Sequence, residues 1–393
     1  MSKLGSLFFK KSSLADLARQ TPATRDRYVD FLRAFSICAV VFGHWLSSII
    51  IRTSGGFKGV NAVGIVPGMW VITWVLQIMP LFFFVGGFSN MVTLDAFKRR
   101  GEPIGSFFRT RVVRLFVPTA VFLGIWLAIL VLPSIFFPFW RRFAQSAIMM
   151  FAPLWFLAVY LVVVILSPIM RALHRRFHIL IPVILGVLAI IVDLVAFGLK
   201  VTGVRWVNVA LVWLCAHQLG FFYADGSLLR LPKWGHALIA LGGLAGLIVL
   251  TNIGVYPKSM VGTGLEKVSN MNPPTLCILA LTVWLVGVAM LVREPIRRWL
   301  NRAKPWMAVI AANTMIMTIY LWHLSAYALA YIVLSPLGLG HQTKPNLVFW
   351  LERPVWIIGP ALILAVLVGI FSRFERPGWL KRAQSSARRK DKL

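Results

Sequence analysis

The chain has 393 residues, 59% of them hydrophobic and 13% charged, with a mean hydropathy of +0.80. That is too apolar for a soluble domain and excludes soluble enzymes and cytosolic binding modules. A formal charge of +29 would suit nucleic acid, but the basic residues fall in short loops and tails between apolar runs, so no nucleic-acid partner is expected.

Residues 1–29 form a basic arm without an apolar core followed by a small-residue cleavage site, so they are read as a cytoplasmic arm rather than a secretory signal. Apolar runs long enough to cross the bilayer then fall near 31–51, 67–91, 112–132, 153–170, 179–198, 206–222, 236–252, 275–292, 305–335 and 354–371. The fold expected is an all-α polytopic integral membrane protein of about ten transmembrane helices, occupying residues 30–371. The ninth run is long enough to be tilted, kinked or partly outside the bilayer. Residues 372–393 form a second basic tail. Of the 41 lysines and arginines, 31 sort with the two tails and every second loop, which places both termini in the cytoplasm. Trp45, Trp70, Trp140, Trp155, Trp206 and Trp350 fall near the opposite interface.

The first run, YVDFLRAFSICAVVFGHWL, carries Arg33 at its mouth and His44 eleven residues on. Eleven residues are about three turns, so the two side chains share a face some 16 Å apart, joining the cytoplasmic mouth to mid-membrane. Ionisable groups are costly in lipid and mark a reaction or transport path, with Asp30 placed to pair with Arg33. An imidazole titrates near neutrality and suits proton transfer, whereas no Ser-His-Asp or Cys-His set can be assembled locally. General-base chemistry by His44 on a bound hydroxyl is the simplest reading. Packing of a neutral His44 and snorkelling by Arg33 are the structural alternatives.

In KRRGEPIGSFFRTRVVRLFVP, Arg111 and Arg114 are three apart on one helix face and offer two guanidinium forks to phosphate oxygens. Arg109 accompanies them, and Lys98, Arg99 and Arg100 serve orientation. Gln77, Trp155, Asp193, Tyr320 and His323 are candidates to line a cavity or hold an acceptor. Asp193 needs a partner inside the bundle. Asn313, Tyr320 and His323 run along the ninth span, with Tyr320 and His323 on one face. His217 is a weaker candidate, and Gly86 with Gly87 permits close helix or ligand approach. Cys38, Cys215 and Cys277 read as small buried hydrophobes. The seven histidines are read as scattered singly, with no CxxC or HExxH, and no metal site is expected.

At these residues the chain resembles the membrane acyltransferase-3 family. RDRYVDFLRAFSICAVVFGHWL carries its arginine, ten residues, histidine pattern through Arg33 and His44. FFRTRVVRLFVP carries its arginine, two residues, arginine motif through Arg111 and Arg114. MPLFFFVGGFSN, LWFLAVYLVVVILSPIM and NTMIMTIYLWHLS resemble further family signatures, with Gly87 standing where a serine is common. The resemblance implies transfer of an acyl group from cytoplasmic acyl-CoA, acetyl-CoA among its forms, to a hydroxyl of an envelope sugar, glycolipid or polysaccharide beyond the bacterial plasma membrane. It gives His44 the catalytic role and lets Arg33, Arg111 and Arg114 hold the donor, with acyl-CoA as co-substrate and no bound cofactor. The competing reading is a proton-coupled transporter or flippase of an envelope lipid or glycan using His44 and Asp193 as a relay. A non-catalytic scaffold is a third.

Overall fold

The computed structural model describes residues 18–19, 21–22, 25–53, 56–137, 147–264, 266–342 and 344–375. The arm at 1–29, apart from its last residues, the tail beyond 375, and Trp140 lie outside the described residues. Among those described, ten helical stretches are long and apolar enough to cross a membrane, and the ten expected runs correspond to them in order. An even number of crossings brings both ends of the bundle to one face.

The first span is α1 (Arg27–Ser47), and it starts where the chemistry provides a cap. The Asp26 carboxylate accepts from the backbone N–H of Tyr28 (2.9 Å) and Val29 (3.2 Å), satisfying donors that the first turn leaves free. It ends four residues earlier than the hydropathy suggests. The Ser47 and Ser48 hydroxyls fold back to the carbonyls of Gly43 and His44 (2.8 and 2.6 Å), and the β-branched run that follows enters a hairpin. That hairpin pairs β1 (Ser48–Thr53) antiparallel with β2 (Gly56–Asn61). Tyr327 and Arg353 both donate to the Ser48 carbonyl, tying it to the bundle. His44 therefore stands in the last turn of α1.

The second span is interrupted. α2 (Trp70–Leu76) stops at Gln77, and α3 (Met79–Arg99) restarts with Pro80 in its first turn, where a missing N–H costs nothing. The spans that follow are α4 (Ile104–Phe136), α5 (Leu154–Phe177), α6 (Leu180–Gly198), α7 (Val207–Ala224), α8 (Lys233–Asn252) and α9 (Leu276–Leu300). The long ninth run is two helices, α10 (Ala303–Thr314) and α11 (Ile316–Leu334), broken at Met315, of which only α11 qualifies as a span. Asn313 accordingly sits on a different helix from Tyr320 and His323, where its amide donates to the Asp30 carbonyl (2.8 Å). α12 (Leu347–Phe371) closes the bundle.

α1 packs against α2, α3, α9, α10, α11 and α12, so the helix that carries Asp30, Arg33 and His44 has protein on several sides. The tightest crossing of α3 is with α7, at Gly87 and Gly220. A Cβ on Gly87 would lie 1.9 Å from the His217 carbonyl oxygen, so no larger residue fits while the helices keep this separation. Gly87→Ala should force α3 from α7, with a cost at or above the usual overpacking range of about 1–3 kcal/mol. A fall in detergent-solubilised thermal midpoint and folded yield would register it. An unchanged midpoint would mean the crossing is looser than described.

Candidate functional site

The break in the second run opens on a cavity of about 230 Å³, which α11 borders one turn and more beyond its start. α1 contributes Gly43, His44 and Ser47; the α2–α3 break contributes Leu76, Gln77 and Met79; α11 contributes Tyr320 and His323. Trp155 from α5 and Val261, Gly262 and Met271 from the loop between α8 and α9 complete much of the wall. That loop is fixed by Trp74, whose indole N–H donates to the Lys258 carbonyl (2.8 Å), and by Thr73, whose hydroxyl accepts from Met260 N–H (2.9 Å). Irregular backbone at membrane depth persists where it is buried in protein or lines a cavity, and both conditions hold here.

Two histidines meet in this space. The His44 and His323 rings lie 5.2 Å apart between centroids. His323 is buried, and its Nδ1–H donates to the Tyr320 carbonyl (2.6 Å). This fixes the tautomer and leaves Nε2 as a lone-pair acceptor, which has no hydrogen-bond partner among the described residues. His44 remains open to the cavity, and none of the described residues hydrogen-bonds its ring. One imidazole is thus locked and the other is free to engage a ligand. The N-terminus of α3 opens on the same cavity through Met79, bringing the positive end of a helix dipole beside the histidine pair.

The α11 backbone that carries Tyr320 and His323 is itself held. The Glu375 carboxylate accepts from the N–H of Met317 (3.1 Å) and Thr318 (3.2 Å) and from the Thr318 hydroxyl (3.0 Å), capping the helix after its break. Tyr320 donates through its hydroxyl to the Pro153 carbonyl (2.8 Å), and Trp45 of α1 donates to the His323 carbonyl (3.0 Å). Glu375 lies just beyond the boundary that the sequence suggests for the tail, yet it is buried in the bundle. An acid between Arg373 and Arg376 gave no signal of this role.

Towards the face where α1 begins, the arginines converge. Arg33 donates to Asp30 (3.3 Å) and to the Ser89 hydroxyl, while Arg111 donates to the Ser89 carbonyl (2.8 Å) and the Thr93 hydroxyl (2.7 Å). Arg33, Arg111 and Arg114 are near enough to feel one another's charge. Arg33 and Arg111 spend part of their donor capacity on α3. Arg114 is exposed and makes no hydrogen bond among the described residues, so its fork is open to a ligand.

Other sequence candidates fall elsewhere. Asp193 is absent from the cavity wall. Its buried carboxylate accepts from the Asn208 amide (2.8 Å), the Tyr256 hydroxyl (2.8 Å) and Leu276 N–H (3.0 Å), which staples α6, α7 and the start of α9. Among the described residues, Asp193 shares neither this cavity nor a hydrogen bond with His44. His217 is fully buried at the α3–α7 crossing, with Nε2 3.1 Å from the Asn90 amide. Gln77 does line the cavity, its amide reaching the Met271 sulfur (2.9 Å). His174 and His178, one turn apart, converge with Asp225, a grouping that the reading of singly scattered histidines missed.

A family model described as an acyltransferase domain matches residues 26–373. No curated protein and no solved structure matches the chain.

Replacing Glu375 by alanine removes three hydrogen bonds from the start of α11 and should cost about 0.5–2 kcal/mol, seen as a lower thermal midpoint in detergent. Glu375→Gln, which keeps an acceptor oxygen, should recover part of that loss. Equal stability of all three proteins would show that α11 is capped by something else.

Proposed function

As the chain belongs to the acyltransferase-3 family, we propose that it transfers an acyl group from cytoplasmic acyl-CoA to a hydroxyl of an envelope sugar, glycolipid or polysaccharide, with His44 as general base. The observation that carries this reading is the cavity holding a free imidazole beside a locked one, at the end of α1 opposite its arginines.

The donor's phosphates rest near Arg33, Arg111 and Arg114, with Arg114 supplying the open fork. The thioester reaches the cavity, where bulk water is scarce and hydrolysis is disfavoured. When donor and acceptor bind, the His44 ring turns so that one of its nitrogens donates to the free His323 Nε2, leaving the lone pair of the other toward the acceptor hydroxyl. His44 takes that proton as the hydroxyl oxygen attacks the thioester carbonyl. The tetrahedral oxyanion forms near the α3 N-terminus and the Gln77 amide, groups that can steady negative charge without reorganising. Collapse expels CoA thiolate, which recovers the proton, and direct transfer in one ternary complex needs no acyl-enzyme. A cavity of about 230 Å³ is smaller than the roughly 300–1,000 Å³ typical of drug-sized ligand pockets, which favours a short acyl group. The proposed setting is a bacterial plasma membrane with the arginine face toward the cytoplasm, as the distribution of basic residues supports.

Incorporation of labelled acyl groups from acyl-CoA into envelope fractions tests the reading. His44→Ala should lower kcat by about 10²–10⁴-fold, and Arg114→Gln should mainly raise the KM for acyl-CoA. His323→Gln should fall between, with an altered pH profile. Full incorporation by folded His44→Ala protein would refute the assignment of the base.

A further inference from the structure

Far from the histidine pair, on the face where α1 begins, α5 ends in two histidines one turn apart. His174 is in the last turn of α5, and His178 is its C-cap. Both Nε2 atoms approach the same oxygen of Asp225, the residue that follows α7, at 3.0 Å from His174 and 3.2 Å from His178. The three ligand atoms lie within 4.8 Å of one another.

We propose that His174, His178 and Asp225 bind one divalent transition-metal ion of the zinc class, which clasps the end of the fourth span to the end of the sixth. Zinc bonds of about 2.0–2.2 Å to nitrogen and oxygen, at tetrahedral angles, place neighbouring ligand atoms about 3.3 Å apart. The two spacings to Asp225 are close to that edge, and the two histidine nitrogens, within 4.8 Å of each other, reach it by side-chain rotation. Two imidazoles and a carboxylate are a borderline donor set that suits zinc over calcium or magnesium, which prefer oxygen alone.

The surroundings are those of a supported site. The fully buried Gln218 amide meets His174 Nδ1 at 2.8 Å. The atom placed there is the amide nitrogen, while the amide oxygen has no partner among the described residues; exchanging the two lets the oxygen accept Nδ1–H and directs the Nε2 lone pair to the metal position. The other Asp225 oxygen accepts from Ser227 N–H (2.8 Å), which orients the carboxylate, and the Ser227 hydroxyl lies 3.3 Å from His178 Nε2, beside a fourth coordination position. His174 is buried whereas the His178 side chain is half exposed, so the ion has both a fixed anchor and an entry path. His178 also adopts φ 44° and ψ −113°, a backbone conformation that a side chain of this size rarely takes and that brings its ring to Asp225.

The test uses the full chain, purified in detergent through a tag without histidine and stripped with a chelator. Zinc is titrated against a chromophoric competitor, and cobalt(II) serves as a spectroscopic probe of tetrahedral coordination. The expected result is one zinc per chain, a tetrahedral cobalt spectrum, and a zinc-dependent rise in thermal midpoint. His178→Asn and Asp225→Asn should each weaken zinc binding at least tenfold and abolish the thermal shift. Asparagine tolerates positive φ, so His178→Asn keeps the test sound should Asp225→Asn fail to fold. No stoichiometric zinc in the native chain, or equal affinity in native and His178→Asn proteins, would overturn the proposal and leave two histidines hydrogen-bonded to a carboxylate. Because the readouts are metal content and stability, the outcome is independent of the transfer reaction.

Discussion

A polar side chain inside a bilayer must find protein or water, and α1 carries more of that burden than any lipid-facing helix could. Asp30, Arg33, Ser36 and His44 lie along its length, and six other helices pack against it. The cost of exposing these groups to hydrocarbon, several kcal/mol for a charge, ties α1 to the interior of the bundle. Once it is there, the ends of α1 define two polar regions. One gathers the arginines around Ser89, and the other opens into the cavity between the histidines.

The cavity depends on a span that does not run straight. A continuous second span would fill the space beside Gln77, and a continuous ninth run would not present a new helix start near Glu375. Breaking a helix in the membrane leaves backbone donors without partners. At α11 these are satisfied by the Glu375 carboxylate, whereas at α3 the break opens on the cavity. The difference separates a structural break from one suited to a substrate.

Much of this was legible in the sequence because the bilayer imposes long apolar runs, which register in hydropathy whatever the tertiary arrangement. The Arg33 to His44 spacing also survives folding, since it depends only on helical rise. What escaped was set by tertiary partners. The triple-isoleucine stretch after Ser48 is as hydrophobic as a helix end, and its turn into a hairpin depends on serine hydroxyls and on Tyr327 and Arg353 far along the chain. The split at Met315 has no proline to announce it. Asp193 is an isolated intramembrane acid by composition, yet three donors from three segments reveal it as a staple. His174 and His178 were four residues apart in plain view, but their convergence required Asp225 from beyond another span.

The assembled picture separates polar groups along the bundle: the arginines and the His174–His178–Asp225 group at the end where α1 begins, the histidine cavity at the end where it stops. Its central claim is that the donor thioester reaches His44 while its phosphates stay with the arginines. A cryo-electron microscopy structure with a non-hydrolysable acyl-CoA analogue addresses that claim most directly. The expected density places the analogue's carbonyl within hydrogen-bond reach of the His44 cavity and its phosphates beside Arg114. An analogue bound with its carbonyl outside that cavity, or with its phosphates away from the three arginines, would contradict it.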